Sequence, residues 1–394
     1  MDGVYQARAL TRVMSEQQSL LRSRPLTIVQ PLLAIVVLAI VGVLTFDVLT
    51  GDLPIAVHGP TGSGLPVVGP AITPTPSNVV VVPVDPRSKV PGLIAYVKDG
   101  NIWIQSGTTV HQLTSAGTDS MPTFSPNGQL VYYVETYPLY GKYGCGGAIS
   151  GYSMVVPVIM QVAVDGSTPP KAIKSGLFHQ GSLSWFSFLR QPVPSPDGSR
   201  LALASDAPRP CTSDVVLQFL NLANRRLTPA NAIDNPPLGD QDPVWSPDGK
   251  SLLYVANGRD GARGTPVVYR YSIQTRRNAP ITGPGYLQPS LSPDGRYIAV
   301  THLDTIGSDI VILDATNGAE ILRVTTDESS TAPAWSPAGD AIVYLHISSG
   351  VTDLVMVNLT GTGPNWTVSD PIALTQLAGL DPASRPTWFV PAGP

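Results

Sequence analysis

Apolar residues recur along the last three quarters of the chain as short runs bounded by turn residues. They are Leu130-Val131-Tyr132-Tyr133-Val134, Leu201-Ala202-Leu203-Ala204, Leu252-Leu253-Tyr254-Val255, Tyr297-Ile298-Ala299-Val300 and Ile342-Val343-Tyr344-Leu345. Runs this short, rich in β-branched and aromatic residues, predict strands. Each follows a Ser-Pro-x-Gly tetrapeptide: Ser125-Pro-Asn-Gly128, Ser195-Pro-Asp-Gly198, Ser246-Pro-Asp-Gly249, Ser292-Pro-Asp-Gly295 and Ser336-Pro-Ala-Gly339. The serines lie 70, 51, 46 and 44 residues apart, the spacing of a repeat architecture. In each tetrapeptide Pro fixes φ, Asp or Asn bonds local backbone, and Gly accepts φ > 0, which predicts a hairpin turn.

A Pro-x-apolar step precedes most copies, at Pro122-Thr-Phe124, Pro243-Val-Trp245, Pro289-Ser-Leu291 and Pro333-Ala-Trp335, with Pro192-Val-Pro194 as the departure. A second pair of strands follows each hairpin, among them Val215 to Phe219, Val267 to Tyr271, Ile310 to Leu313 and Leu354 to Val357. Four short strands per repeat predict an all-β fold, a six-bladed β-propeller. Five blades carry the tetrapeptide. The sixth is split, with Leu93 to Val97, Asn101 to Ile104 and His111 to Thr114 at one end and Arg385-Pro-Thr-Trp-Phe389 at the other. Pairing of the last segment with the Leu93 strand would close the ring and remove exposed edges.

These residues resemble the TolB-type β-propeller repeat, a relative of the WD-type repeats, over roughly Pro91 to Pro394 (Pro-x-Trp-Ser-Pro-Asp-Gly followed by apolar residues). The resemblance implies a propeller at 92–394 used mainly for protein contacts. It also implies a departure, because the namesake carries an N-terminal α/β domain for which this chain has no room. Propellers host unrelated activities, so the repeat specifies fold more than function.

Upstream, Pro25 to Phe46 holds no charged side chain, which predicts a transmembrane helix at 26–49 with an N-terminal α-helical span of bilayer length. Arg8, Arg12, Arg22 and Arg24 precede it and Asp47 and Asp52 follow, so the 1–25 segment is expected in the cytoplasm and the propeller outside, on a single-pass cell-membrane protein. A cleaved signal peptide and a buried globular helix are the competing readings. The 50–91 stretch contains nine prolines and five glycines and reads as a semi-extended linker, with Val79 to Val82 as an alternative extra strand.

Charged residues make up only 13% of the chain, and Gly 37 plus Pro 40 gives 77 of 394 residues, as expected of a turn-rich β ectodomain. No run of basic residues is present, so nucleic-acid binding is not expected. The chain has no G-x-S-x-G elbow, H-E-x-x-H, P-loop or dinucleotide fingerprint. No cofactor or metal is expected, and a monomer is favoured.

In a blade the inner strand runs down to the Ser-Pro-x-Gly turn and the second strand returns. Loops after second strands and between blades therefore share one face, here called upper. Insertions concentrate there: Thr136 to Met160, Lys174 to Arg190, Asp206 to Asp214 and Pro229 to Asp242, whereas the lower turns are expected to stay short. Elaborated loops on one face carry binding in such scaffolds, and drift on a tolerant surface is the alternative. Tyr137, Tyr140 and Tyr143 are the candidate contacts, with Asp240 and Asp242 giving the mouth an acidic lean beside Asp119, Glu328 and Asp381. Ten residues past each turn serine lie Glu135, Ser205, Ala256, His302 and His346, with Lys98 equivalent in the first blade. His302 and His346 come from consecutive blades and could hold a metal or anion between them, though strand ends bonding loop backbone are the simpler reading. Cys145 and Cys211 follow second strands of adjacent blades and are expected to form a disulfide, with two free thiols as the alternative. The functional expectation is a non-catalytic propeller binding a protein or cell-envelope polymer. A lyase or glycan-active enzyme, or a single-pass sensor, are the alternatives.

Overall fold

The computed structural model describes residues 84–143, 148–206, 215–230, 239–257 and 265–391. The 1–25 and 26–49 segments, most of the 50–91 segment, Cys145 and Cys211 lie outside the described residues. Among the described residues no helix is long and apolar enough to cross a membrane. The end of the expected linker joins the domain: the Asp85 carboxylate caps a 3-10 turn over Pro86–Lys89, and Val90 is buried.

Among the described residues, five four-stranded antiparallel sheets and one of five strands form the six blades. Blade 1 consists of Leu93–Lys98, Asn101–Ser106 and Thr109–Gln112, with Thr387–Phe389 from the C-terminal end as its inner strand. The pairs Leu93↔Phe389, Ile94↔Trp388 and Ala95↔Thr387 close the ring as the split repeat predicted. The inner strands of blades 2 to 6 are Asp119–Phe124, Leu189–Pro194, Asp240–Trp245, Tyr286–Leu291 and Ser330–Trp335.

Each Ser-Pro-x-Gly is the turn from inner to second strand. The serine hydroxyl accepts the amide five residues on, at 2.9 Å for Leu130 and Ser251 and 3.0 Å for Tyr297 and Ala341. It donates to the Asn or Asp two residues on, at 2.7 Å to Asn127 and 2.6 Å to Asp248 and Asp294. Ala338 offers no acceptor there, and Ser336 turns instead to Asp340 at 2.8 Å.

Strand alternation sends successive residues toward opposite neighbours, so the core is divided among blade interfaces. Val131 and Tyr133 pack with Ile102 and Ile104 of blade 1, whereas Tyr132 and Val134 pack with Leu189 and Leu201 of blade 3. The same arrangement continues around the ring to Trp388, Ile94 and Val343, where blade 6 meets blade 1.

Two expectations are corrected. The lower turns are not all short, because in blade 6 the strand Val351–Thr362 pairs with Asn365–Val368 as an extended hairpin, and Trp366 packs on Tyr297 at 4.6 Å. The Thr136 to Met160 insertion is also not a loop. The second and third strands of blade 2 lengthen to Leu130–Tyr143 and Ser150–Ala163, in unbroken register to Tyr143↔Ser150.

Candidate binding surface

At the axis, each inner strand of blades 2 to 6 carries a bulge immediately before its proline. Met121, Gln191, Asp242, Gln288 and Ala332 hold φ of 55°, 54°, 55°, 52° and 55°. The bulge re-aims these residues, and their amides, out of the sheet ladder. The freed amides find side chains of the preceding blade. Met121 N–H donates to Ser384 Oγ at 3.1 Å, Asp242 N–H to Gln191 Oε1 at 2.8 Å, and Ala332 N–H to Gln288 Oε1 at 3.0 Å. Gln191 Nε2 returns a bond to Asp242 Oδ1 at 2.6 Å. Arg385 reaches from blade 1 to the Pro289 carbonyl at 2.9 Å, with its Nε 3.9 Å from Asp242 Oδ1. The centre of the ring is thus an inter-blade polar network in which Asp242 is buried and bonded to Gln191.

On the upper face, the Thr136–Tyr143 and Ser150–Pro157 portions of blade 2 project beyond the inner strand as a two-stranded arm about 26 Å long at ~3.3 Å per residue. The inter-blade insertion folds into a second small hairpin, Leu177–Gln180 with Leu183–Phe186. Gly141 permits their contact: a Cβ there would lie 2.9 Å from the Ser184 carbonyl and closer still to the Met154 methyl. Aromatic rings bind the two hairpins. Trp185 stacks on Tyr143 at 5.5 Å and meets Tyr152 edge-on at 5.5 Å, and the series continues through Phe186 to Phe188 at 5.4 Å per step. The opposite face of the arm is open, with Tyr140 69% and Val155 52% exposed, and Ile149 exposed near the arm's tip.

Two carboxyl groups with raised pKa flank these hairpins. Asp119 lies at the arm's base, buried, opposite Glu135, with neither oxygen in a well-formed hydrogen bond. Burial pushes its pKa up to about 6; Glu135 adds to the shift, while Thr114 and the Ala116 amide oppose it. Asp206, at the upper end of the second strand of blade 3, is pushed by burial up to about 7, offset in part by the Phe188 amide.

The family description TolB beta propeller domain matches residues 184–369. The fold is that of a six-bladed β-propeller, and the matched stretch is similar to the TolB-type domain. It is similar to TolB from Acinetobacter baumannii at 19% identity, covering 75% of this chain and 66% of that one, with a TM-score of 0.54. The putative TolB from Agrobacterium tumefaciens follows at 15% identity, 76% and 94% coverage and a TM-score of 0.53. A chain of the nidogen/laminin complex gives 10% identity, 75% and 97% coverage and a TM-score of 0.51. At these identities the likeness shows the fold. None of the curated proteins matches the chain.

Within the propeller, the register read from the turn serines is observed. Glu135, Ser205, Ala256, His302 and His346 each pair with the first residue of their inner strand. The two histidines are engaged separately. His302 stacks on Tyr286 at 4.6 Å and its Nδ1 lies 3.3 Å from Arg323, whereas His346 Nδ1 lies 3.4 Å from Asp327. Asp240 accepts the Leu217 amide at 3.2 Å. Strand alternation splits the three tyrosines: Tyr143 joins the aromatic series, Tyr137 packs on the core between blades 1 and 2, and Tyr140 faces outward. Trp185, Phe178, Phe186 and Phe188 were not singled out from sequence, although four aromatics within Leu177 to Phe188 signal more than an inter-blade connector.

Proposed function

We propose that this protein is a membrane-anchored, extracytoplasmic TolB-type propeller that captures a protein or cell-envelope polymer with the blade 2 arm and the neighbouring small hairpin. The observation that carries this reading is the arm itself. Blade 1 makes the equivalent connection with Asp99 and Gly100 alone, so ring closure needs no such extension. An aromatic-braced arm with Tyr140, Val155 and Ile149 exposed has the composition of a contact surface, where aromatic anchors dominate binding. Anchoring rests on the apolar stretch from Pro25 to Phe46, which holds no charged side chain, and on the arginines before it.

The reading needs no cofactor. Crosslinking in intact cells, with photoreactive residues at Tyr140 and Val155, tests it. A discrete captured partner is expected from both positions and not from a probe at exposed Leu377 on blade 6. Equal capture from all three would refute the assignment.

A further inference from the structure

Blades 3 and 4 carry matching pairs of arginines in the lower turn that joins their third and fourth strands. Arg225 and Arg276 hold φ of 59° and 55°. Their amides bond the Asn221 and Ser272 carbonyls at 2.8 and 2.9 Å, so the two turns share one conformation and register. Each is tied to the Ser-Pro-Asp-Gly turn of its own blade, by Leu222 N–H to the Ser199 carbonyl at 3.0 Å and Ile273 N–H to the Lys250 carbonyl at 2.9 Å. Both turns therefore lie on the lower face, opposite the arm. Arg225, Arg226, Arg276 and Arg277 are all exposed.

Among the described residues, no carboxylate lies within ion-pair distance of these four or of Arg200. The neighbouring cations differ, since Lys250 sits 3.6 Å from Asp248 and Arg296 2.7 Å from Asp294. The blade 3 turn opens on a pocket lined by Arg200, Phe219, Asn221, Asn224, Arg226 and Thr228. The Arg200 guanidinium lies 4.7 Å from the Phe219 ring and 4.9 Å from the Trp245 ring. Cation–π contact uses the face of the guanidinium and leaves its N–H edge available to a carboxylate.

We propose that this face docks an acidic peptide segment, with one carboxylate held between Arg200 and Arg226 and others against Arg225, Arg276 and Arg277. The guanidinium fork matches a carboxylate in two parallel bonds. Repetition of the turn in consecutive blades suits an extended chain with acidic side chains. The source is a short segment, because the chain carries a net charge of −4 and the four exposed arginines occupy two turns of consecutive blades. Beyond a Debye length of about 8 Å a long polyanion or an anionic bilayer meets a screened, net negative surface.

The test is fluorescence anisotropy of a labelled hexaglutamate peptide with the full chain, the R226S/R277S variant and the R296S variant. Saturable binding that weakens with salt is expected, about tenfold poorer in R226S/R277S and unchanged in R296S, whose arginine is already paired. The chain lacking the blade 2 arm should bind the peptide as well as the parent does, which separates this surface from the upper one. No saturable binding, or equal binding by R226S/R277S, would overturn the proposal. So would loss of binding with the arm. Tighter binding of single-stranded DNA or of phosphatidylglycerol vesicles in the same titration would assign the face to nucleic acid or membrane instead.

Discussion

Trp388 pairs with Ile94 across 294 residues of sequence, and its indole N–H donates to the Pro91 carbonyl at 2.8 Å. The two ends of the domain are thereby held in one sheet, and both side chains enter the core between blades 6 and 1. Trp388→Ala should cost about 3–5 kcal/mol in denaturant unfolding, because it removes a large buried ring and unlatches the closing strand. A loss under about 1 kcal/mol would mean that the ring is held shut elsewhere.

The axial network should be energetically coupled. Gln191 and Asp242 exchange two hydrogen bonds near the axis, where burial makes an unpaired partner expensive. Single changes to Ala at either position should each destabilise by about 2 kcal/mol, and the double variant by less than the sum, with a coupling of about 1 kcal/mol. Strict additivity in the double-mutant cycle would contradict the network.

The fold was legible because the repeat is written in turn chemistry. Ser-Pro-x-Gly places the hairpins, and a residue count from the serines finds the second-strand ends that pair with Asp119, Leu189, Asp240, Tyr286 and Ser330. The site was less so. Tyr137, Tyr140 and Tyr143 look alike in sequence, and only strand register separates the exposed one from the packed pair. Asp242 reads as a mouth carboxylate because nothing in the sequence shows that its backbone adopts positive φ and carries it into the axial network. The contact between the two upper hairpins is set by tertiary packing around Gly141, which no local pattern announces.

Stability should fall with rising pH through the neutral range. Asp119 and Asp206 have folded-state pKa values of about 6 and about 7, above the ordinary 3.8. Such groups contribute stability fully below about pH 4, and lose it as pH rises through their folded values. Asp206→Asn should therefore raise stability at about pH 8 by about 3 kcal/mol relative to the parent and flatten the melting temperature between about pH 4 and 7. An unchanged pH profile would show that Asp206 titrates normally.

Gly141→Val should displace the small hairpin without unfolding the ring. A side chain there meets the Ser184 carbonyl, so the Tyr143–Trp185 stack must open. Near-ultraviolet circular dichroism and tryptophan emission should change, while unfolding stays cooperative and stability falls by only about 1–2 kcal/mol. Retention of the parent spectrum would contradict the packing described.

The most direct measurement replaces Thr136–Pro157 by an Asp-Gly turn like that at Asp99 and Gly100, and compares partner capture in cells with cooperative unfolding in vitro. The account predicts that capture is lost while the propeller still melts in one transition. Capture at the parent level by a folded, arm-less chain would contradict it.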